Sequence, residues 1–192
     1  LGGGIHCIDG AEVRLLGRDV GVVSNRAQNG GGLALINCVF DWTNPASGAQ
    51  FGISANDALA TGGGILAIDG GMRFAGNGSA SAVLSGNSAE NGSGGGIFAS
   101  GTQINADGLA LLANRAGFEG GGMLLTNQGF LILGRYAIAG NTAGADGGAR
   151  EDHRQREQRR GIDQPEHEPA DDGCQGEVGA DRAVDAAGQD DQ

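Results

Sequence analysis

The chain has 192 residues, of which 40 are glycine, 12 arginine and 23 acidic; it holds no lysine and carries a formal net charge of −11. Three prolines exclude collagen and proline-rich linkers, no run of 18 apolar residues exists to form a transmembrane helix, and the charge argues against nucleic acid or an anionic membrane as partner. The cysteines Cys7, Cys38 and Cys174 are odd in number and form no CxxC, which excludes a disulfide scaffold and a zinc ribbon.

In chain order, the triplet Gly2–Gly4 opens onto a strand expected at Ile5–Ile8. Asp9 marks a turn, and Val13-Arg14-Leu15 alternates apolar in and arginine out. A third strand, Val20–Val23, leads into Asn25 and Ala27. The cycle then restarts at Gly30 with Leu33–Ile36, a turn at Asn37, and Phe51–Ile53 ahead of Asn56 and Ala58. This second period carries the aromatics Phe40, Trp42 and Phe51 around a longer insertion, Thr43–Gln50. From Gly62 follow Ile65–Ile68, Asp69, Met72-Arg73-Phe74, Ala82–Leu84, Asn87 and Ala89. The period from Gly94 holds Ile97, Gly101, Leu109–Leu112, Asn114 and Ala116; that from Gly120 holds Met123–Leu125, Asn127, Tyr136–Ile138, Asn141 and Ala143. A sixth begins in phase at Gly147-Gly148-Ala149, and Arg150 then falls where a buried aliphatic is due.

Triplet-to-triplet spacings are 28, 32, 32, 26 and 27 residues, with three strands and three turns in each. No stretch shows helical spacing over three turns, which sets aside leucine-rich and ankyrin solenoids, and calcium-binding GGxGxD nonapeptides are absent. The expected architecture is all-β: a right-handed parallel β-helix of about five coils over residues 1–149. Like residues should stack in columns at about 4.8 Å per coil. Asn25, Asn56, Asn87, Asn114 and Asn141 should form a ladder of hydrogen-bonded amides at one corner. Residues 150–192 carry 13 acidic and 6 basic residues without hydrophobic period, and are expected to be a disordered acidic tail. The break in phase after residue 149 is also what a shifted reading frame would produce.

The aliphatic-x-x-Asn…Gly-Gly-Gly-aliphatic pattern over residues 2–149 resembles the right-handed parallel β-helix of the pectin-lyase-like superfamily. More narrowly, it is similar to the repeats of polymorphic outer membrane proteins and autotransporter passengers, whose coils carry GGA-aliphatic and FxxN motifs. Here GGA occurs once and the aromatic of FxxN is replaced by Val22, Ile53, Leu84, Leu111 and Ile138. The resemblance implies a secreted, surface-displayed structural or adhesive stalk. Its export signal would lie outside this chain, and its partners would be a host-surface protein or a polysaccharide.

Polysaccharide lyases and glycoside hydrolases share the fold, so candidate chemistry needs weighing. Asp9 and Asp69 share one site two coils apart, at about 10 Å, close to the carboxyl spacing of inverting glycosidases. The same site holds Asn37, Gly101 and Asn127, however, which marks a turn rather than a catalytic pair. Arg14 and Arg73 recur on an outward face with no acidic cluster beside them, as on a solvated surface. His6 and Cys7 are neighbours on a strand and point to opposite faces, against a catalytic dyad. Cys7 and Cys38 stand six and nine residues into their periods, so both read as small unpaired fillers. His153 and His167 lack metal-ligand spacing. No cofactor, metal or catalytic residue is expected. The aromatic patch Phe40, Trp42 and Phe51 is the candidate binding site, with core packing as its alternative. A truncated gene product without function is the remaining reading.

Overall fold

The structure is a computed structural model that describes residues 1–16, 20–44, 52–76 and 82–144. The expected tail, residues 150–192, lies outside the described residues, as do Phe51 and residues 45–50 of the insertion.

Every described strand is short and pairs in parallel with its counterparts one turn away; among the described residues there is no helix. Four sheets of five strands run along the stack, so five rungs are built as the chain makes about four full turns. The first sheet comprises Ile5–Cys7, Leu33–Ile36, Ile65–Ile68, Ile97–Ser100 and Met123–Thr126. Glu12–Leu16, Val39–Asn44, Gly71–Gly76, Gln103–Asp107 and Phe130–Leu133 make the second. In the third are Val22–Val23, Ile53–Ser54, Ala82–Ser85, Leu109–Leu112 and Tyr136–Ala139. The fourth is a run of two-residue strands, Arg26–Ala27, Asp57–Ala58, Ser88–Ala89, Arg115–Ala116 and Thr142–Ala143. Sequence reading expected three strands per coil; the fourth was hidden because two residues are too few to show an alternation.

Register is kept residue for residue. Ile5, Leu33, Ile65, Ile97 and Met123 form one inward column. Val22, Ile53, Leu84, Leu111 and Ile138 form another. The interior members Leu33, Ile53, Ile65, Leu84, Ile97 and Leu111 are fully buried. Like shapes stacked at the strand spacing pack closely in the narrow interior, which is why a large aliphatic recurs at each of these sites.

Three corners per coil place a residue in the left-handed backbone region. One corner takes the first glycine of each triplet, as at Gly62 (φ +66°). A second takes Asp9, Asn37, Asp69, Gly101 and Asn127, all with φ between 50° and 60°, the residue types that tolerate this conformation at least cost. The third takes Ser24, Ala55, Gly86, Ala113 and Gly140, immediately before each ladder asparagine. Spacing between coils is absorbed mainly between the second and third sheets: residues 45–52 stand there in the second coil, and Gly108 alone in the fourth.

Candidate binding face

The five expected asparagines do meet in one column. The backbone N–H and the side-chain Nδ2 of Asn56 both donate to Oδ1 of Asn87, at 3.1 and 3.0 Å. Asn25 donates likewise to Asn56, Asn87 to Asn114, and Asn114 to Asn141, all between 2.9 and 3.0 Å. The second Nδ2 hydrogen turns to an aliphatic carbonyl one coil back: Asn56 to Val22, Asn87 to Ile53, Asn114 to Leu84 and Asn141 to Leu111. Asn56, Asn87 and Asn114 are wholly buried, and every amide hydrogen and oxygen of their side chains is used. The glycine triplet exists for this corner. A Cβ on Gly63 would lie 2.5 Å from the carbonyl carbon of Ser88, and one on Gly64 would lie 3.1 Å from Cγ of Asn87. The triplet and the asparagine are thus two halves of one packing unit.

A ligand has to be met from outside, and the outward face of the second sheet offers the place. Three outward columns run along it: Glu12, Val39, Gly71, Gln103 and Phe130; Arg14, Asp41, Arg73, Asn105 and Ile132; and Leu16, Thr43, Ala75 and Asp107. Gly71 sits between Val39 and Gln103, and nothing lies within 4 Å of where its Cβ would be. That missing side chain opens a groove of about 280 Å³ whose lining includes Val39, Gly71, Arg73, Gln103, Asn105, Phe130 and Ile132. Phe130, Val39 and Ile132 are each about half exposed (58%, 51% and 48%), an apolar surface next to a guanidinium and two amides. Arg14 is held by Glu12 at 2.6 Å, and Arg135 clamps both oxygens of Asp107 at 3.0 Å each. Those hydrogen bonds hold the Asp107 carboxyl below its ordinary range. Among the described residues, Arg73 has no carboxylate partner, and its guanidinium is left to the groove.

Phe40 and Trp42 present no exposed aromatic patch, which corrects their assignment as one; Phe40 lies beneath the groove, and Trp42 does not line it. They are inward residues of the second sheet, 0% and 2% exposed, in columns with Met72 and Phe74. Ring centroids lie 5.5 Å apart for Phe40 and Phe74 and 6.3 Å for Trp42 and Phe74. Phe51 lies outside the described residues. The exposed aromatic of the face is Phe130, which the repeat pattern did not single out.

Arg14 and Arg73 do stand two coils apart on the outward face, with Asp41 between them. Asp9 and Asp69 both occupy left-handed corner positions. His6 is outward and exposed while Cys7 is buried. The expectation that Cys7 and Cys38 stay unpaired is overturned: they form a disulfide, with Cα atoms 6.3 Å apart. Their positions differ by three residues because Cys38 follows the corner at Asn37. Asn37 takes a left-handed backbone, and Cys38 just beyond it is buried beside Cys7, the last residue of the first strand.

A second charged cluster lies at the fourth sheet. Arg26 is 3.3 Å from Asp57 and 3.8 Å from Glu90. Burial first, then the nearby Glu90 carboxylate, push the Asp57 carboxyl above its ordinary range, against the pull of Arg26. One Asp57 oxygen is buried without a hydrogen-bond partner. Among the described residues no three histidine, cysteine or acidic side chains converge as a metal site. No protein-family model matches the chain, and no curated protein or solved structure matches it either.

Proposed function

We propose that the chain is part of an exported, surface-displayed β-solenoid that acts as a structural and adhesive stalk rather than an enzyme. The repeats' resemblance to autotransporter passengers and polymorphic outer membrane proteins first suggested this reading. The observation that carries it is the open groove at Gly71, set on a face whose columns are held in register by the buried core. A rigid ladder presents Phe130, Gln103 and Arg73 at fixed spacing, as recognition of an extended partner requires. Export is supported by the Cys7–Cys38 disulfide, a bond that persists in oxidising compartments outside the cytoplasm. The partner class is a surface protein or polysaccharide, met through apolar contact with Phe130 and hydrogen bonds from Gln103, Asn105 and Arg73.

The test is retention of the full chain on a panel of immobilised polysaccharides and matrix proteins, beside a Gly71→Leu variant. Since the space at Gly71 is open, leucine fills the groove without disturbing the strand. Binding to at least one surface, weakened roughly tenfold or more in the variant (a loss of about 1.4 kcal/mol), is the expected result. Unimpaired binding by the variant, or release of unsaturated products from polyuronates by the wild-type chain, would overturn the proposal.

A further inference from the structure

Asparagine followed by glycine occurs at Asn29-Gly30 and Asn91-Gly92 among the described residues; a third pair, Asn77-Gly78, lies outside them. In such a pair the glycine nitrogen, with no Cβ beside it, is unhindered toward the asparagine side-chain carbonyl. Hydrogen bonds on either group hold the attack back, and the fold treats the two pairs differently. At Asn29, Oδ1 accepts from the backbone N–H and the hydroxyl of Thr61, at 3.3 and 2.9 Å. The Gly30 N–H donates to the Thr61 carbonyl at 2.9 Å. Both reacting groups are thus committed to the second coil. Asn91 is exposed, and its side chain makes no hydrogen bond among the described residues. The Gly92 N–H has only the Ala89 carbonyl of its own coil, at 3.5 Å, longer than a well-made bond. The turn is also the longest of its kind. Between the fourth-sheet strand and the next glycine triplet stand residues 28–29, 59–61, 90–93 and 117–119 in the first four periods, and Asn91 and Gly92 are the middle of the third.

We infer that Asn91-Gly92 is a modification site of the folded protein, where the chain deamidates with water as the only co-reactant. The Gly92 nitrogen attacks Cγ of Asn91, and the new C–N bond closes a five-membered succinimide. The side-chain nitrogen leaves as ammonia, taking the Gly92 proton. Water then opens the ring: cleavage at the side-chain carbonyl gives aspartate, and cleavage at the main-chain carbonyl gives isoaspartate. Either product sets a new carboxylate next to Glu90, whose cation among the described residues is the largely exposed Arg26 at 3.8 Å. Isoaspartate also adds a methylene to the main chain just before Gly92. The backbone has no slack there: a Cβ on Gly92 would collide with the Ala60 carbonyl oxygen of the second coil. On the other side the Gly92 carbonyl accepts from the Phe118 N–H of the fourth coil at 2.9 Å. Modification at this turn therefore strains the third coil against both of its neighbours, whereas Asn29 is protected by the coil it is bonded to.

The experiment is peptide mapping by mass spectrometry on the full chain, sampled over time at mildly alkaline pH. One sample is kept folded in buffer; the other is unfolded in concentrated urea with a reductant, so that the disulfide no longer closes a loop around Asn29. Each deamidated peptide gains one mass unit, and fragmentation separates aspartate from isoaspartate. In the folded chain, Asn91 is expected to react roughly tenfold or more faster than Asn29, a ratio equivalent to about 1.4 kcal/mol. In urea the two sites should react at similar rates, because each is then the same dipeptide without its surroundings. An Asn91 that stays intact in the folded chain, or an Asn29 that reacts as fast as Asn91 there, would overturn the inference. So would an unfolded chain that keeps the full difference, since the sequence and not the fold would then set it.

Discussion

Single residues in this protein matter in proportion to where they stand in a column. Replacing Asn87 with alanine removes the acceptor of two Asn56 donors, the donor to the Ile53 carbonyl, and one occupant of the Asn114 oxygen, all in the dry interior. Stranding buried polar groups costs about 1–3 kcal/mol each, so Asn87→Ala is expected to lose roughly 4 kcal/mol or more, a large part of the 5–15 kcal/mol typical of a whole domain. Asn141→Ala, where the side chain is only part-buried, should cost well under half as much. Urea midpoints of the two variants check the ranking; equal losses would mean that the ladder is not a buried network. The ladder was legible because asparagine recurs with a glycine triplet at every turn of the chain. The left-handed corner before it was not. Ser24, Ala55, Gly86, Ala113 and Gly140 share only small size, and two alanines there give no conformational signal, whereas Asp9, Asn37 and Asp69 at the other corner announce theirs.

Among the sheets, the fourth is the weakest element on its own terms, since its strands are two residues long and its outward column carries Arg26, Asp57 and Arg115. Asp57 is the point of conflict. Its folded pKa stands above the ordinary 3.8 through burial and Glu90, so the folded state binds its proton more tightly than the unfolded chain does. The ionised carboxylate therefore costs stability fully above the raised folded value, and that cost disappears as pH falls through it toward 3.8. Asp57→Asn is expected to be more stable than wild type at neutral pH by less than about 1 kcal/mol, because Arg26 is largely exposed and its lost pairing is weak. In acid the gain should vanish. Asp107 runs the other way: Arg135 lowers its pKa, so its contribution is present above 3.8 and is lost as pH falls through the lowered value. Denaturant midpoints at neutral and acidic pH for Asp57→Asn against wild type separate the two; a variant less stable at neutral pH would mean that the Arg26 pairing dominates. None of this was readable from the chain. Arg26 and Asp57 are 31 positions apart, and only the register of two-residue strands brings them side by side.

At the scale of the whole molecule, the stack is nearly one-dimensional: each coil packs mainly on the coils before and after it, with only long arginines such as Arg26 and Arg135 reaching two coils away, so stability is close to a sum of coil and interface contributions. Periodicity in the sequence exposed that plan because every rung repeats the same demands. It missed the covalent tie between Cys7 and Cys38 because they occupy different sites in their coils and meet across the corner at Asn37. The tie joins the first two coils across 31 residues, a loop for which chain entropy gives roughly 3–4 kcal/mol of stabilisation. In a fully cooperative globule that sum would be felt everywhere. In a stack, it should be felt where it acts. Cys7→Ala is therefore expected to free the first coil from the second while the interior coils, which keep both neighbours, hold their own contacts. Hydrogen exchange should show the amides of residues 2–16 losing protection by several orders of magnitude, since about 1.4 kcal/mol corresponds to each factor of ten. The amides of Ile65–Ile68 and Ile97–Ser100 should exchange as in the wild type. Equal loss across all five rungs would make the solenoid a single cooperative unit. Loss confined to the first would place its anchor at the disulfide and leave the ladder to hold the interior.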